Sequence, residues 1–234
     1  MFNPKHKWVF SKNTLDKYIP SIVVTPNIIG IKKDNLMLKK IEYYKASNII
    51  IKNHYSHKTA TRSHTLLNIG IYLNDKCIGA MQYGYAMNPL SCTSIVSDTK
   101  VDEYYELNRL WIDDIAGKNT ESQVIGMSFR LIKEVNPKIK WIQSFADGRV
   151  GVGTIYQATN FLYCGSHKQK FVSFNGETHH IGKFTNKQKT FGRMFGNLLP
   201  TLPNNEYQQY RYIYFLDKEW EKKLLLPIKP YPKK

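Results

Sequence analysis

The chain has 234 residues, with 34 Lys and Arg against 18 Asp and Glu and a formal charge of +16. The length suits one large domain or two small ones, and the charge excess favours a polyanionic partner, since Lys and Arg displace the counterions condensed on phosphates. No apolar run reaches the roughly 18 residues of a membrane span, and Cys77, Cys92 and Cys164 are too scattered, and odd in number, for a disulfide framework or a CxxC metal site.

Residues 1–36 mix short apolar pieces (22–25, 28–31) with Pro20, Pro26 and Gly30. They read as an irregular N-terminal extension holding one or two short strands, ahead of a single domain over residues 37–234. The opening MFNPKHKWVF lacks the apolar stretch of a signal peptide, so a cytoplasmic location is expected. Residues 41–45 look extended and 46–55 helical, with Ile49, Ile50 and Ile51 inward, ending near the sequence NHYSH at 53–57. Residues 59–64 form a polar, basic loop. Segments 66–73 and 76–85 flank Asn74-Asp75, a hairpin signal. A strand follows over 104–112, a turn over 117–119, and a helix over 121–135 with Thr120 as N-cap, closed by Pro137. Residues 140–145 read as the next strand and 153–163 as the next helix. A second hairpin pairs 171–174 with 178–181 about Asn175-Gly176. Residues 184–199 read as a basic helical excursion and 210–215 as a strand rich in Tyr and Ile. The order β-α-β-β-β-α-β-α-β predicts a mixed α/β fold, its first half mostly antiparallel.

The segment 141–165, WIQSFADGRVGVGTIYQATNFLYCG, is the most informative. It reads as a buried strand, a Gly-rich turn and a helix, with Ser144, Asp147 and Tyr156 clustered about the turn. Ligands in α/β proteins bind at such carboxyl ends of strands. Before it, TESQVIGMS at 120–128 sets Gln123 and Gly126 at the spacing Gln/Arg-x-x-Gly-x-Gly/Ala. Small residues there let a pyrophosphate approach the backbone amides of a helix start. Ser128 departs from Gly/Ala, and taken alone a plain helix start explains the segment better.

Further candidates lie outside these blocks. His54 and Tyr55 suit stacking on, or hydrogen bonding to, a base. His54 with Asp147 or Glu106 also suits iron or zinc, although His-x-x-His alone is no metal signature. Glu106 is a second candidate base after Asp147. Arg109 is expected to pair with Asp113 or Asp147. Lys58, Arg62 and His64 in the first basic loop, and Lys183, Lys187, Lys189 and Arg193 in the second, are candidate phosphate contacts; solvated surface charge is the plain alternative for both.

The Gln123–Gly126–Ser128 spacing and the element order resemble the GNAT acetyltransferase superfamily, and IYQATNF at 155–161 falls in register with its last core helix, Asn160 standing where Gly is usual. The resemblance narrows to the Mom family, phage proteins that modify adenine in DNA. It is carried by NHYSH (53–57), YELNRLWIDD (105–114), NTESQVIGMSFRLIK (119–133), 144–165 and RYIYFLDKEW with PYPK (211–233), which together span most of residues 40–233. It implies a GNAT-like acyl-CoA transferase fold, a central twisted, mostly antiparallel sheet flanked by helices. It implies an acetyl-CoA or related acyl-CoA cofactor held by Gln123, Gly126, Ser128 and Asn160, with Tyr156 as general acid toward the CoA thiolate. Asp147, Ser144, Glu106, His54 and Tyr55 would complete the catalytic set. The implied reaction places an acetyl-derived, methylcarbamoyl-type group on N6 of adenine in double-stranded phage DNA, within the bacterial host cell, shielding it from restriction. Two other readings stay open: a GNAT enzyme acting on a protein or small amine, and a non-catalytic basic DNA-binding protein on the same fold. Oligomeric state is left open, a homodimer included.

Overall fold

A computed structural model describes residues 21–25 and 28–233, with side chains from Gly30 onward. The opening residues and the prolines at 20 and 26 lie outside the described residues. Among the described residues ten strands form one sheet: β1 (Ser21–Thr25), β2 (Ile28–Lys33), β3 (Leu36–Lys40), β4 (Thr65–Leu73), β5 (Lys76–Gly84), β6 (Tyr104–Ile112), β7 (Trp141–Asp147), β8 (Leu162–Phe174), β9 (Glu177–His180) and β10 (Asn204–Phe215). Their spatial order is β1-β2-β3-β4-β5-β6-β7-β10-β8-β9. The expected α/β fold is the one formed, a mostly antiparallel sheet flanked by helices. Its first two strands fall in the stretch read as irregular, and β2 continues the sheet by pairing with β3.

Helix α1 (Tyr43–Asn53) covers one face of the sheet over β4, β5 and β6, and helix α2 (Thr120–Val135) covers the other. Neighbouring β5 residues show the division. Ala80 packs with Ala46 and Ile50 of α1, while Met81 joins the main core with Val124, Ile125, Met127 and Leu131 of α2. Strand alternation requires such a split. Lower on the α1 face, Tyr104 stacks on Trp141 with ring centroids 4.7 Å apart, and the Trp141 indole N–H donates to Thr99.

Both hairpins form as expected. Asn74 and Asp75 take φ of 47° and 65°, and Asn175 and Gly176 take 50° and 76°, as a type I′ turn demands. Three local expectations need correction. Helix α1 begins at Tyr43, so 43–45 are helical rather than extended. The helix read over 153–163 is only one turn, α3 (Thr154–Gln157), and Leu162 already starts β8. Asn160 stops it in the left-handed region (φ 58°); the Phe161 N–H reaches Tyr156 O and the Asn160 N–H reaches Gln157 O. Those two bonds, with the Tyr156–Phe161 ring contact at 5.3 Å, make a Schellman stop. The excursion over 184–199 is broken into α4 (Gly182–Thr185), α5 (Thr190–Phe195) and a 3-10 turn (Gly196–Thr201), packed about Phe174, Phe184, Phe191 and Phe195.

One feature of the sheet positions the site. Strands β6 and β7 are its parallel pair, and their ladder holds for three steps only, from Tyr104↔Trp141 to Glu106↔Gln143. Beyond Glu106 they part. Asn108 is an extra residue in β6 against β5, where the register slips between Gln82↔Arg109 and Tyr83↔Leu107. A bulge of this kind bends its strand and is common beside active sites.

Candidate active site

At the fork of β6 and β7, Ser144 Oγ lies 3.0 Å from the Leu107 carbonyl oxygen and 2.9 Å from the Tyr156 hydroxyl. Ser144 has one proton to give. Its hydroxyl is placed to donate to either oxygen, one at a time, and once Tyr156 loses its proton Ser144 donates to the phenolate. Burial raises the Tyr156 pKa, against the lowering effect of Ser144, so the phenol keeps its proton at neutral pH and can donate it. Tyr156 is held by α3, whose entry at Gly153 needs φ of +85°; a Cβ there would stand 2.6 Å from the Tyr212 ring. Both expected residues, Ser144 and Tyr156, are thus together.

Asp147, at the end of β7, is met from the turn just after α1 by the Tyr55 hydroxyl, which donates to it at 3.4 Å. Its main partner was not foreseen. Arg149 Nε lies 3.0 Å from each carboxylate oxygen, Arg149 Nη2 lies 2.5 Å from Oδ2, and the Arg149 backbone N–H adds a bond of 3.0 Å to Oδ1. The guanidinium in turn lies over the Phe171 and Tyr207 rings, 4.5 and 5.4 Å from their centroids. Burial pushes the Asp147 pKa up, but the Arg149 hydrogen bonds and charge outweigh it and hold the group below the usual carboxylate value. Asp147 is therefore ionised and a weak base. An Asp-x-Arg spacing on a tight turn was the available signal.

His54 is buried, 8% exposed, while its neighbour Tyr55 is 53% exposed. The Ser56 N–H points at His54 Nδ1 at 3.2 Å, which makes Nδ1 an acceptor and leaves the proton on Nε2. Burial, with Arg109 and His57 adding to it, lowers the His54 pKa to about 4. Burial and the nearby Asp147 raise the Tyr55 phenol to about 12. Among the described residues no group of three or more His, Cys, Asp and Glu side chains is gathered to hold a metal ion. The iron or zinc reading of His54 with Asp147 therefore lacks a ligand set: Arg149 and Tyr55 engage the carboxylate, and Ser56 engages His54 Nδ1.

Glu106 sits across from Gln143 on the α1 face, half-buried. Its Oε1 accepts from Asn108 Nδ2 at 3.0 Å and its Oε2 from Gln143 Nε2 at 2.8 Å. Burial raises its pKa, more than those two N–H groups lower it. A raised pKa makes Glu106 the stronger base of the two carboxylates. Arg109 pairs with neither aspartate expected of it; its Nε donates to the Lys58 carbonyl and its Nη1 to the Asn108 carbonyl.

On the opposite face a cleft of about 470 Å³ runs between α2 and the α3–β8 turn. Gln123, Gly126 and Asn160 all line it, with Lys33, Arg130 and Lys133, and none of its lining residues is acidic. A Cβ built at Gly126 would meet nothing within 4 Å, so the cleft wall is open there. Ser128 is not part of it. It is fully buried, bonded to the Ile125 carbonyl and the Tyr83 hydroxyl, each at 2.6 Å. Tyr83, its partner, is itself fully buried. The cap of α2 is Asn119 at φ 65°, and Thr120 is already helical, its hydroxyl spent on the Ala116 and Gly117 carbonyls. With no side chain capping them, the first amides of α2 remain available to an anion.

The nucleic-acid candidates are spread around these sites. Lys58 and Arg62 are exposed and His64 half-buried in the loop after α1; Arg62 bonds the exposed Tyr44 hydroxyl at 2.9 Å. Lys187 and Arg193 are exposed on the α4–α5 lobe. Cys92 and Cys164 are buried free thiols and Cys77 an exposed one. No helix among the described residues is long and apolar enough to cross a membrane.

Residues 35–233 match the Mom protein family. The methylcarbamoylase Mom of Escherichia phage Mu is 36% identical over 214 residues, covering 88% of this chain and 87% of that protein. Among solved structures, a ribosomal-protein-S5-alanine acetyltransferase from Vibrio fischeri is 9% identical with a TM-score of 0.49, over 82% of this chain and 98% of that one. The ribosomal L7/L12 alpha-N-protein acetyltransferase RimL in complex with coenzyme A is 11% identical with a TM-score of 0.45, over 79% and 96%.

Proposed function

The chain belongs to the Mom protein family, and from that premise we propose that it modifies phage DNA, transferring the acyl group of an acyl-CoA (methylcarbamoyl-type where the donor's acyl group already carries that nitrogen) to N6 of adenine and so shielding the DNA from host restriction. The observation that carries this reading is the convergence of Gln123, Gly126 and Asn160, from two distant segments, on one acid-free cleft, with the Ser144–Tyr156 pair at the fork of the strands beside it. Polyphosphate binding favours uncapped helix amides and unopposed cations. When bound, the acyl-CoA supplies the acyl carbon and a thiolate leaving group.

The chain's own residues divide the remaining work. Tyr156, protonated at neutral pH, gives a proton to the leaving sulfur, and Ser144 steadies the phenolate. Glu106, with its raised pKa, accepts a proton from the acceptor amine, a poor nucleophile while conjugated to a purine. Asp147, clamped by Arg149, orients Tyr55. The exposed Tyr55 gives a flipped base an aromatic contact, which offsets part of the few kcal/mol that unstacking costs.

Expression in a bacterium followed by mass spectrometry of its DNA nucleosides tests the proposal. A modified deoxyadenosine is expected with the wild-type chain and little or none with Tyr156→Phe. Unmodified DNA in cells holding abundant folded protein overturns it, and modification found on protein or a small amine instead moves the acceptor.

A further inference from the structure

We propose that the polar cluster on the α1 face of β6 and β7 reads the exocyclic amino group of the target base through Glu106, Asn108 and Gln143, and rejects a base carrying oxygen there. The proposal rests on the DNA-modification reading and names the contacts that choose the base.

The argument begins with a shortage of donors. Asn108 Nδ2 spends both of its N–H groups, on Glu106 Oε1 and the Tyr85 carbonyl, and Gln143 Nε2 spends one on Glu106 Oε2. Asn108 Oδ1 and Gln143 Oε1 are both buried with no hydrogen-bond partner among the described residues. Buried acceptors left unpaired are costly, and native chains seldom keep two of them side by side. What the cluster lacks is an N–H donor, and an amino group on a purine brings two.

The surroundings fit a base. Gln143, Phe145 and Asp147 alternate onto one face of β7, a span of about 13 Å at strand rise. Gln143 and Glu106 form the floor. Phe145, half-buried, offers a ring in between, with the Arg211 guanidinium 5.1 Å from its centroid. Asp147 and the exposed Tyr55 stand at the open end. The floor lies where β6 and β7 begin to part, and Ser144, the next residue of β7 after Gln143, turns to the other face and meets Tyr156. A 6-oxo purine would set its oxygen against the two unpaired amide oxygens, and an unsubstituted purine would leave them unpaired.

The test is a set of thymine oligonucleotides carrying one adenine, hypoxanthine or unsubstituted purine, with all-thymine as baseline. Dissociation constants are read by fluorescence anisotropy on the full chain, so the wild type alone tests the idea. Adenine is expected to bind at least about tenfold tighter than either analogue. Gln143→Met should bring adenine close to hypoxanthine while leaving the all-thymine baseline unchanged. Equal binding of adenine and hypoxanthine, both above baseline, overturns the amino-group assignment alone. No binding to any oligonucleotide overturns the DNA reading along with it.

Discussion

Ser144 and Tyr156 share a hydrogen bond of 2.9 Å at the fork of β6 and β7, and the same Ser144 oxygen reaches across the fork to the Leu107 carbonyl at 3.0 Å. Because the serine can serve either partner, it tracks the protonation of the phenol. Tyr156→Phe removes the proton and should lower transfer by about a hundredfold or more, with acyl-CoA binding kept. Ser144→Ala keeps the proton but loses the group that steadies the phenolate, so a smaller loss is expected. Single-turnover rates beside cofactor titrations check both, and equal losses in the two variants would contradict this division.

The Arg149 clamp on Asp147 makes a prediction about pKa. Three side-chain contacts and one backbone N–H hold the carboxylate low against the effect of burial. With Arg149→Ala the side-chain contacts and the charge go, while the backbone N–H, the Tyr55 bond and burial remain, so the Asp147 pKa should rise. Arg149→Lys should restore part of the depression, since a point charge cannot fork two oxygens. Carboxyl carbon NMR titration of the three proteins reads the order directly.

Much of this was legible in the chain. Asn74-Asp75 and Asn175-Gly176 announce their hairpins because few other pairs tolerate two positive φ angles in succession. Ser144, Asp147 and Tyr156 stand out as polar groups about a strand-to-helix turn. The short α3 was not seen, because its aromatic run mimics a helix face and the stop depends on Asn160 turning left-handed. Ser128 shows the other kind of miss. Its spacing matched a phosphate-binding pattern, but that pattern falls inside α2, where its third member turns into the core toward Tyr83. Arg149, Asn108 and Gln143 gain their meaning only from partners brought by the fold, although a glutamine within the apolar run of β7 was itself a sign.

His54 makes stability depend on pH. Its pKa falls from 6.5 to about 4 in the folded chain, so between those values the unfolded chain binds more protons and stability rises with pH. The contribution is whole above about pH 6.5 and is lost as pH falls toward 4, at most about 3 kcal/mol. Urea melts of wild type and His54→Gln at pH 7.5 and 5 should show a smaller drop in the variant. Parallel drops would mean that the imidazole is not the group that titrates.

The α4–α5 lobe supplies the last prediction. Phe184, 1% exposed, packs against Phe174 at 5.6 Å and Phe191 at 5.1 Å, and this small aromatic core holds Lys187 and Arg193 outward. If those two cations lie on the DNA path, each neutralised phosphate releases counterions, and the slope of log affinity against log salt should fall by about 0.9 per cation lost on duplex DNA. Lys187→Gln and Arg193→Gln should each show that change with folding intact. Phe184→Ala acts differently, costing about 3–5 kcal/mol by opening a cavity and weakening DNA binding through the loss of the platform. An unchanged slope in both charge variants, with duplex binding retained, would put the lobe off the DNA path and leave the loop of Lys58 and Arg62 to carry the phosphates.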